Sequence, residues 1–264
     1  MKPIRVVVNG ALGRMGREVV NALCHEPETQ VVGAVELQVP EEQLSLPDGS
    51  GTVPLSSDLA HILTTCQPDV LVDFTTAQAV MPAVRIATKQ GVNLVIGTTG
   101  LTADELGEID RLSTAHQVGA VVAPNFALGA VLMIHLAKVA AKYLDYAEII
   151  ELHHHQKADA PSGTALATAR AMAQAKGKPF YRPPQQGKTS ASRGEQVEGI
   201  TIHSVRLPGL LAHQEVHLGA PGQTLSIRHD TISRECYTPG VILAIKQVAK
   251  RQGLVYGLDT LLGL

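Results

Sequence analysis

Short β-branched runs alternate with helical patterns through the first half of the chain, a βαβα rhythm that predicts a parallel sheet with helices on both faces. The apolar runs predict strands at 4–9, 31–35, 70–74, 93–96 and 118–122, with helices over 12–24, 57–64, 77–90 and 102–115 between them. The segment Gln38 to Ser57 is rich in Pro, Gly, Ser and acidic residues and reads as a surface loop with at most a short element. The longest apolar tract, from about Val118 to Ala141, is interrupted by Pro124, Asn125, His135 and Lys138. It lacks the roughly 18 uninterrupted apolar residues of a membrane span, and predicts instead a buried strand followed by a core helix.

Beyond that helix, over about 127–143, the rhythm changes. A strand near 146–153, a helix near 162–175 and three strand-like runs near 199–206, 211–218 and 223–230 predict a smaller mixed or antiparallel sheet. Residues 176–199 are too polar and too broken by Pro and Gly to form a core element, and a loop of that length is functional or disordered as a rule. Residues 239–250 look helical again and are expected to return to the first domain. The fold class expected is α/β: a Rossmann-type parallel-sheet dinucleotide-binding domain with a second, smaller α+β domain carrying a mixed or antiparallel sheet.

Composition narrows the partners. A chain of 264 residues with 45% hydrophobic content can bury a large core and has room for two domains. Lys and Arg (22) nearly balance Asp and Glu (24) for a formal charge of −2, so no bulk field draws the chain to nucleic acid or an anionic membrane. Aromatics at 3%, with no Trp, remove the stacking platform of single-strand binders. Cys24, Cys66 and Cys236 are widely spaced and have neither disulfide nor metal spacing, which fits a reducing cytoplasm. The opening MKPIRVVVNGALG has no signal-peptide hydrophobic region.

The segment VVVNGALGRMGREVV puts Gly10, Gly13 and Gly16 between a strand and an amphipathic helix. This GxxGxxG spacing is a variant of GxGxxG, and the physics is shared: glycine permits a tight turn and close approach to a pyrophosphate, while the helix start offers unpaired N–H groups. The triplet alone is a weak signal; the strand-turn-helix setting makes it a dinucleotide site. About twenty residues past Gly16 stands Glu36, at the end of the second strand, where a carboxylate accepts hydrogen bonds from ribose hydroxyls and repels a 2′-phosphate. Leu37 supplies no cation for such a phosphate, though Arg14 in the glycine loop is a candidate, so NADH is expected to be preferred over NADPH. Gly97-Thr98-Thr99-Gly100 and Ala123-Pro124-Asn125-Phe126 fall at later strand ends, where ligands sit in open α/β sheets.

The densest chemistry is ELHHHQKADAPSGTALATA, residues 151–169. His153, His154, His155 and Lys157 precede a helix start at Ser162-Gly163-Thr164, where Ser162 or Asp159 can cap and the Gly163 and Thr164 N–H groups can grip a carboxylate. Lysine and histidines beside a carboxylate make a cationic pocket, and a histidine also delivers a proton near neutral pH. The same residues also admit a merely polar loop, a nonspecific basic patch, or an HxH metal pair of His153 and His155. The last needs ligands from elsewhere and has neither HExxH nor a cysteine set, so no metal is expected.

NGALGRMG at 9–16, DFT at 73–75, GTTG at 97–100, APNFALG at 123–129 and, above all, HHHQKADAPSGTA at 153–165 resemble the 4-hydroxy-tetrahydrodipicolinate reductase family, formerly dihydrodipicolinate reductase, of the diaminopimelate route to lysine. VRLPGLLAHQEVHLG at 205–219, Ser233-Arg234 and PGVILAI at 239–245 extend the likeness over nearly the whole chain. The resemblance implies a homotetramer with a dinucleotide domain of residues 1–124 plus 235–264 and a substrate and assembly domain of residues 125–234. It implies dinucleotide contacts from Gly10, Ala11, Leu12, Gly13, Arg14, Met15, Glu36, Phe74, Gly97, Thr98, Thr99, Ala123, Pro124, Asn125 and Phe126. It implies His153 and Lys157 as proton carriers, and His154, Ser162, Gly163, Thr164 and Arg234 as binders of a dicarboxylate.

Leu37 departs from the members that carry arginine there, which bears on NADPH use. The implied reaction adds hydride to ring C4 of a conjugated cyclic imine and a proton to C3 of the resulting enamine, after the hydroxylated substrate loses water. Three rivals remain: another nicotinamide-dependent dehydrogenase of amino-acid metabolism, of which the aspartate-semialdehyde type needs a nucleophilic cysteine; a metal-dependent hydrolase on the HxH pair; and a catalytically silent dinucleotide sensor.

Overall fold

The computed structural model describes residues 2–181 and 191–264. The middle of the loop expected over 176–199 lies outside the described residues. Two compact units form, one from the residues up to Leu128 together with Arg234–Leu264, the other from Gly129–Ser233. The first boundary falls a few residues later than the expected 124, and the second places Arg234 in the first unit rather than the second.

The first unit opens with β1 (Ile4–Asn9), α1 (Arg14–Cys24), β2 (Thr29–Val35), β3 (Gln43–Ser45), β4 (Thr52–Ser56) and α2 (Leu59–Cys66). It continues with β5 (Val70–Asp73), α3 (Ala77–Lys89), β6 (Asn93–Ile96), α4 (Ala103–Ala115) and β7 (Gly119–Val122). The second unit takes in most of α5 (Leu128–Ala141), then β8 (Tyr146–His153), α6 (Gly163–Lys176), β9 (Glu195–Val197), β10 (Ile200–Arg206), β11 (Ala212–Ala220) and β12 (Gln223–Thr231). The chain closes the first unit with a 3₁₀ turn (Arg234–Tyr237), α7 (Thr238–Val248), β13 (Gly253–Tyr256) and α8 (Leu258–Leu262).

In the first unit the strands lie in the order β13-β7-β6-β5-β1-β2-β4-β3. Every adjacent pair is parallel except β3 with β4. Strands buried on both faces read as continuous apolar runs, which is why Val6, Val7 and Val8 of β1 are all fully buried. Val7, Leu71, Leu94 and Ile96 face one core with Ile62 and Leu63 of α2, Val80 and Val84 of α3 and Ile109 of α4. Against the opposite face pack α1, through its contacts with β1 and β2, and α7, through β6 and β7.

In the second unit the order is β12-β11-β8-β10-β9, with β8 and β10 parallel and the other pairs antiparallel, so the sheet is mixed. One face packs Ile149, Ile200, Ile202, Val216 and Leu218 against Met133 and Ala137 of α5 and Ala165, Ala169 and Met172 of α6. The opposite face is mostly polar, with Ile150, Leu152 and Val205 among its ion pairs: His213 meets Asp230 at 2.6 Å, His217 meets Glu215 at 3.1 Å, and His203 meets Glu148 at 2.9 Å. The helix α5 is less buried than its apolar sequence suggests. Small and flexible residues face the core while Leu132, Leu136 and Val139 stand about half exposed. Among the described residues, no helix is long and apolar enough to cross a membrane.

Candidate active site

At the end of β1 the chain turns at Gly10, whose φ of 78° is open to glycine and strained for other residues. A side chain there would also meet the Phe74 carbonyl oxygen at 2.8 Å. Gly16 is tighter still: a Cβ would stand 2.0 Å from the Gly10 carbonyl oxygen, so the third glycine lets the first turn of α1 lie on the loop. Ala11 is buried, Leu12 is half-buried, and Gly13 begins the helix as its N-cap without a side chain of its own to satisfy the first N–H groups. Arg14 and Met15 form the first helical turn, with Arg14 exposed. The backbone donors there fit a pyrophosphate. Glu36 follows β2 directly, and its carboxylate accepts the Leu12 N–H at 3.0 Å and the Leu37 N–H at 3.0 Å. Two carboxylate oxygens offer about four acceptor positions, so capacity for ribose hydroxyls remains. Leu37 is almost wholly exposed. Sequence reasoning missed Arg17, whose Nε donates to the Leu12 carbonyl at 2.8 Å and so sets a second guanidinium beside the turn.

The neighbouring strand ends are tied by an acid that the sequence did not single out. Asp73 is 1% exposed and accepts from Asn9 Nδ2 at 2.7 Å, Thr98 Oγ1 at 2.8 Å and both the N–H and hydroxyl of Thr75. It thereby fastens the carboxyl ends of β1, β5 and β6 to one another. Phe74 lies against Phe126 with ring centroids 5.9 Å apart, and a Cβ on Gly97 would enter the Phe74 ring at 2.1 Å. Thr99 follows Thr98 in the same loop. After β7, Ala123 and Phe126 are buried, while the Asn125 side chain accepts the Ala127 N–H at 2.9 Å and turns the chain, leaving Pro124 and Asn125 as the outward part of that segment. These dinucleotide candidates therefore gather at the carboxyl ends of adjacent parallel strands.

In the second unit the anchor is Glu151, fully buried on β8. Its carboxylate accepts the Nδ1–H of His153 at 2.5 Å, both terminal nitrogens of Arg206 at 2.8 and 2.9 Å, and the Ser162 N–H at 3.2 Å. A carboxylate only accepts, so the His153 proton on this side sits on Nδ1. Burial pushes the Glu151 carboxyl up, but the hydrogen bonds from His153 and Arg206 outweigh it and hold the group at about 2. Glu151 shares its face of β8 with Ala147 and Ile149, and a carboxylate in the buried phase of a strand alternation was the signal the sequence offered.

The loop that follows carries the other candidates. His154 precedes a turn closed by the Lys157 N–H to the His154 carbonyl at 3.1 Å, and Lys157 Nζ meets both carboxylate oxygens of Asp159 at 2.6 and 2.8 Å. Lys157 is thus held as an ion pair, which keeps the Asp159 carboxyl below its usual range. Of the two capping candidates, Ser162 takes the role: it is 2% exposed and accepts the Ala165 N–H at 3.2 Å. A Cβ on Gly163 would meet nothing within 4 Å, and with Thr164 this glycine begins α6 at an open helix start. Arg234 is not part of this unit; it lies half-buried at the start of the 3₁₀ turn in the first unit.

Two features bear on the metal and cysteine rivals. Nδ1 of His153 is taken by Glu151, and among the described residues no three His, Cys, Asp or Glu side chains gather as metal ligands would. Burial pushes the Cys24 thiol up to about 11 and raises Cys66 as well, the reverse of an activated nucleophile.

Comparison with known proteins gives consistent matches along the chain. The family described as "Dihydrodipicolinate reductase, N-terminus" matches residues 4–126, and "Dihydrodipicolinate reductase, C-terminus" matches residues 129–262. The chain is 56% identical to a 4-hydroxy-tetrahydrodipicolinate reductase of Dehalococcoides mccartyi, covering 100% of both chains. It is 51% identical to the protein of that name from Moorella thermoacetica, over 98% of each. Among solved structures it is similar to a dipicolinate-bound dihydrodipicolinate reductase from Paenisporosarcina sp. TG-14, with a TM-score of 0.87, 39% identity and coverage of 98% of this chain and 99% of that one.

Proposed function

The chain belongs to the dihydrodipicolinate reductase family and reduces 4-hydroxy-tetrahydrodipicolinate with NAD(P)H in lysine and diaminopimelate biosynthesis, and for that reaction we propose the following division of labour among its residues. The first unit binds the dinucleotide through the Gly10–Met15 turn, Glu36, Phe74, Gly97, Thr98, Thr99 and the Ala123–Phe126 segment. The dicarboxylate is bound through His154, the capped helix start at Ser162, Gly163 and Thr164, and the loop carrying Lys157, and Arg234 is assigned to the same ligand. The observation that carries this reading is the buried Glu151 carboxylate, which holds His153 on one side and the Ser162 end of the Lys157 loop on the other.

When bound, NAD(P)H supplies the hydride that reduces the substrate ring at C4. The residues of the chain supply the rest. N–H groups at the start of α6 and the Arg234 fork neutralise the carboxylates, which makes the ring more electrophilic. Lys157, ion-paired with Asp159, and His153, whose Nδ1 is engaged, are the groups that deliver a proton to C3 and assist loss of the substrate hydroxyl as water. Glu36 makes NADH the better cofactor, because a 2′-phosphate meets its charge.

The assembly that fits is a homotetramer in the cytoplasm. The polar face of the second unit's sheet, with Glu148, His203, His213, Glu215 and His217 opposite the helices, is the surface that would meet a second copy. Among the described residues Cys24, Cys66 and Cys236 form no disulfide, which fits a reducing compartment.

The test is oxidation of NADH and NADPH with the freshly formed product of dihydrodipicolinate synthase, for the wild type and for His153→Gln. The wild type is expected to turn over both nucleotides, NADH better, and His153→Gln to lose kcat. Full activity in His153→Gln would remove the assigned proton carrier.

A further inference from the structure

We propose that Glu151, paired with Arg206, is a positioning residue that sets the His153 ring and the loop after it for proton transfer. The inference rests on the reading of His153 and Lys157 as proton carriers and extends it to two residues outside the groups assigned to substrate and cofactor.

Geometry carries it. Glu151 is fully buried, and its carboxylate is engaged by Nδ1 of His153, both terminal nitrogens of Arg206, the Ser162 N–H and the Ser204 side chain. Arg206 reaches further, donating from Nη2 to the Asp159 carbonyl at 2.6 Å and from Nη1 to its neighbour's carbonyl, that of Val205, at 2.8 Å. One ion pair therefore holds the loop at three places: His153 where it leaves β8, Asp159 beside Lys157, and Ser162 where α6 begins. A buried pair of this kind rarely gains stability over a well-packed apolar pair, because desolvation offsets most of the attraction. Its retention at this place is explained by orientation. With Nδ1 committed to Glu151 as a donor, Nε2 is the ring nitrogen left to exchange a proton, and the carboxylate stabilises the charged ring when it forms. Among the described residues of this network, Glu151 is the anion bonded to the ring; the Asp159 and Val205 carbonyls face Arg206, and the Asp159 carboxylate faces Lys157.

The experiment compares purified Glu151→Gln, Arg206→Lys and His153→Gln with the wild type, reading kcat, KM, the pH profile of kcat, and Kd for NADH and for dipicolinate. Glu151→Gln is expected to lower kcat about 10- to 100-fold with NADH affinity unchanged, the range seen when a group that orients a reacting side chain is removed. The limb of the pH profile that His153→Gln abolishes should move to lower pH in Glu151→Gln, since the ring loses its anion and faces Arg206 alone. Arg206→Lys keeps the charge but not the two-point fork, and should raise KM and dipicolinate Kd more than it lowers kcat. A merely structural role would lower the melting temperature while leaving kcat per folded site and the pH profile unmoved, and that result overturns the proposal. Should Glu151→Gln fail to fold, the wild type decides the matter. A downfield ring N–H proton resonance that disappears in His153→Gln supports the pair, and its absence overturns it. Wild-type kcat in His153→Gln would instead bring down the assignment of the proton carriers on which the proposal stands.

Discussion

The carboxylate of Glu36 accepts the backbone N–H of Leu12 at 3.0 Å, which ties the acid after β2 to the glycine turn after β1. On the proposed reading Glu36 has two tasks, one toward the ribose and one toward the glycine turn it is bonded to. Glu36→Ala is expected to weaken both nucleotides while moving the ratio of kcat/KM toward NADPH. Leu37→Arg, which leaves the Leu12 contact in place, should move the ratio without weakening NADH as far. The wild-type preference for NADH should be a few-fold to about 100-fold, the span of roughly 1–3 kcal/mol, and should shrink with added salt. An unaltered ratio in Glu36→Ala would show that the acid serves the loop alone.

Gly16→Ala should be the most damaging single change in the glycine turn. Its Cβ would meet backbone atoms, the Gly10 oxygen at 2.0 Å and the Ala11 Cα at 2.8 Å, and neither can step aside as a side chain would. Loss of about 3 kcal/mol or more and of NADH binding is expected, with dipicolinate binding weakened less. Denaturant unfolding and calorimetric titration of the two ligands read the three quantities separately.

Lys157 and Arg234 should separate chemistry from binding. Lys157→Ala is expected to lower kcat about 100-fold, as for a lost general acid. Arg234→Ala should mainly raise the substrate KM and weaken inhibition by dipicolinate, since a guanidinium pairs a carboxylate through two parallel bonds. NADH affinity should change in neither.

Acid stability should depend on Glu151. Its carboxyl sits at about 2 in the folded protein against 4.5 as a free group. A lowered carboxylate stabilises the fold fully above the unfolded value and loses that contribution as pH falls through the folded one. The contribution, about 3 kcal/mol, should therefore fade between pH 4.5 and pH 2. Urea unfolding at several pH values would show the wild type weakening across this window and Glu151→Gln weakening less, from a lower starting point at neutral pH. Parallel curves would contradict the linkage.

The first unit was largely legible in sequence because parallel strands buried on both faces leave unbroken apolar runs such as VVV in β1 and VLV in β5. The strands that escaped notice are short and lie at or next to the edges of the sheet. In β4, TVPLS, only Val53 and Leu55 are buried and Pro54 interrupts the pattern; in β13, GLVY, no apolar side chain is fully buried. The motif residues of the site were equally visible, since glycines, His153, Lys157 and Ser162 sit in local patterns. Asp73, Glu151 and Arg206 stand in the same runs, and Glu151 in the buried phase of its strand, but their pairing was not legible. Each acts through partners from distant segments, Asn9 for Asp73 and Arg206 for Glu151, and no local spacing records such a meeting.

The first unit is assembled from two stretches of chain with the whole second unit between them. As the chain leaves the ribosome, β7 must therefore wait with its outer edge unpaired, because β13 is the strand that covers it and α7 the helix that packs beside it. The second unit, made from one continuous stretch, has its sheet and both helix partners in hand as soon as Ser233 is free. Folding in the cell is thus expected to finish the second unit first and to leave an exposed parallel strand edge until β13 has emerged, the interval in which this protein is most open to aggregation and to chaperone capture.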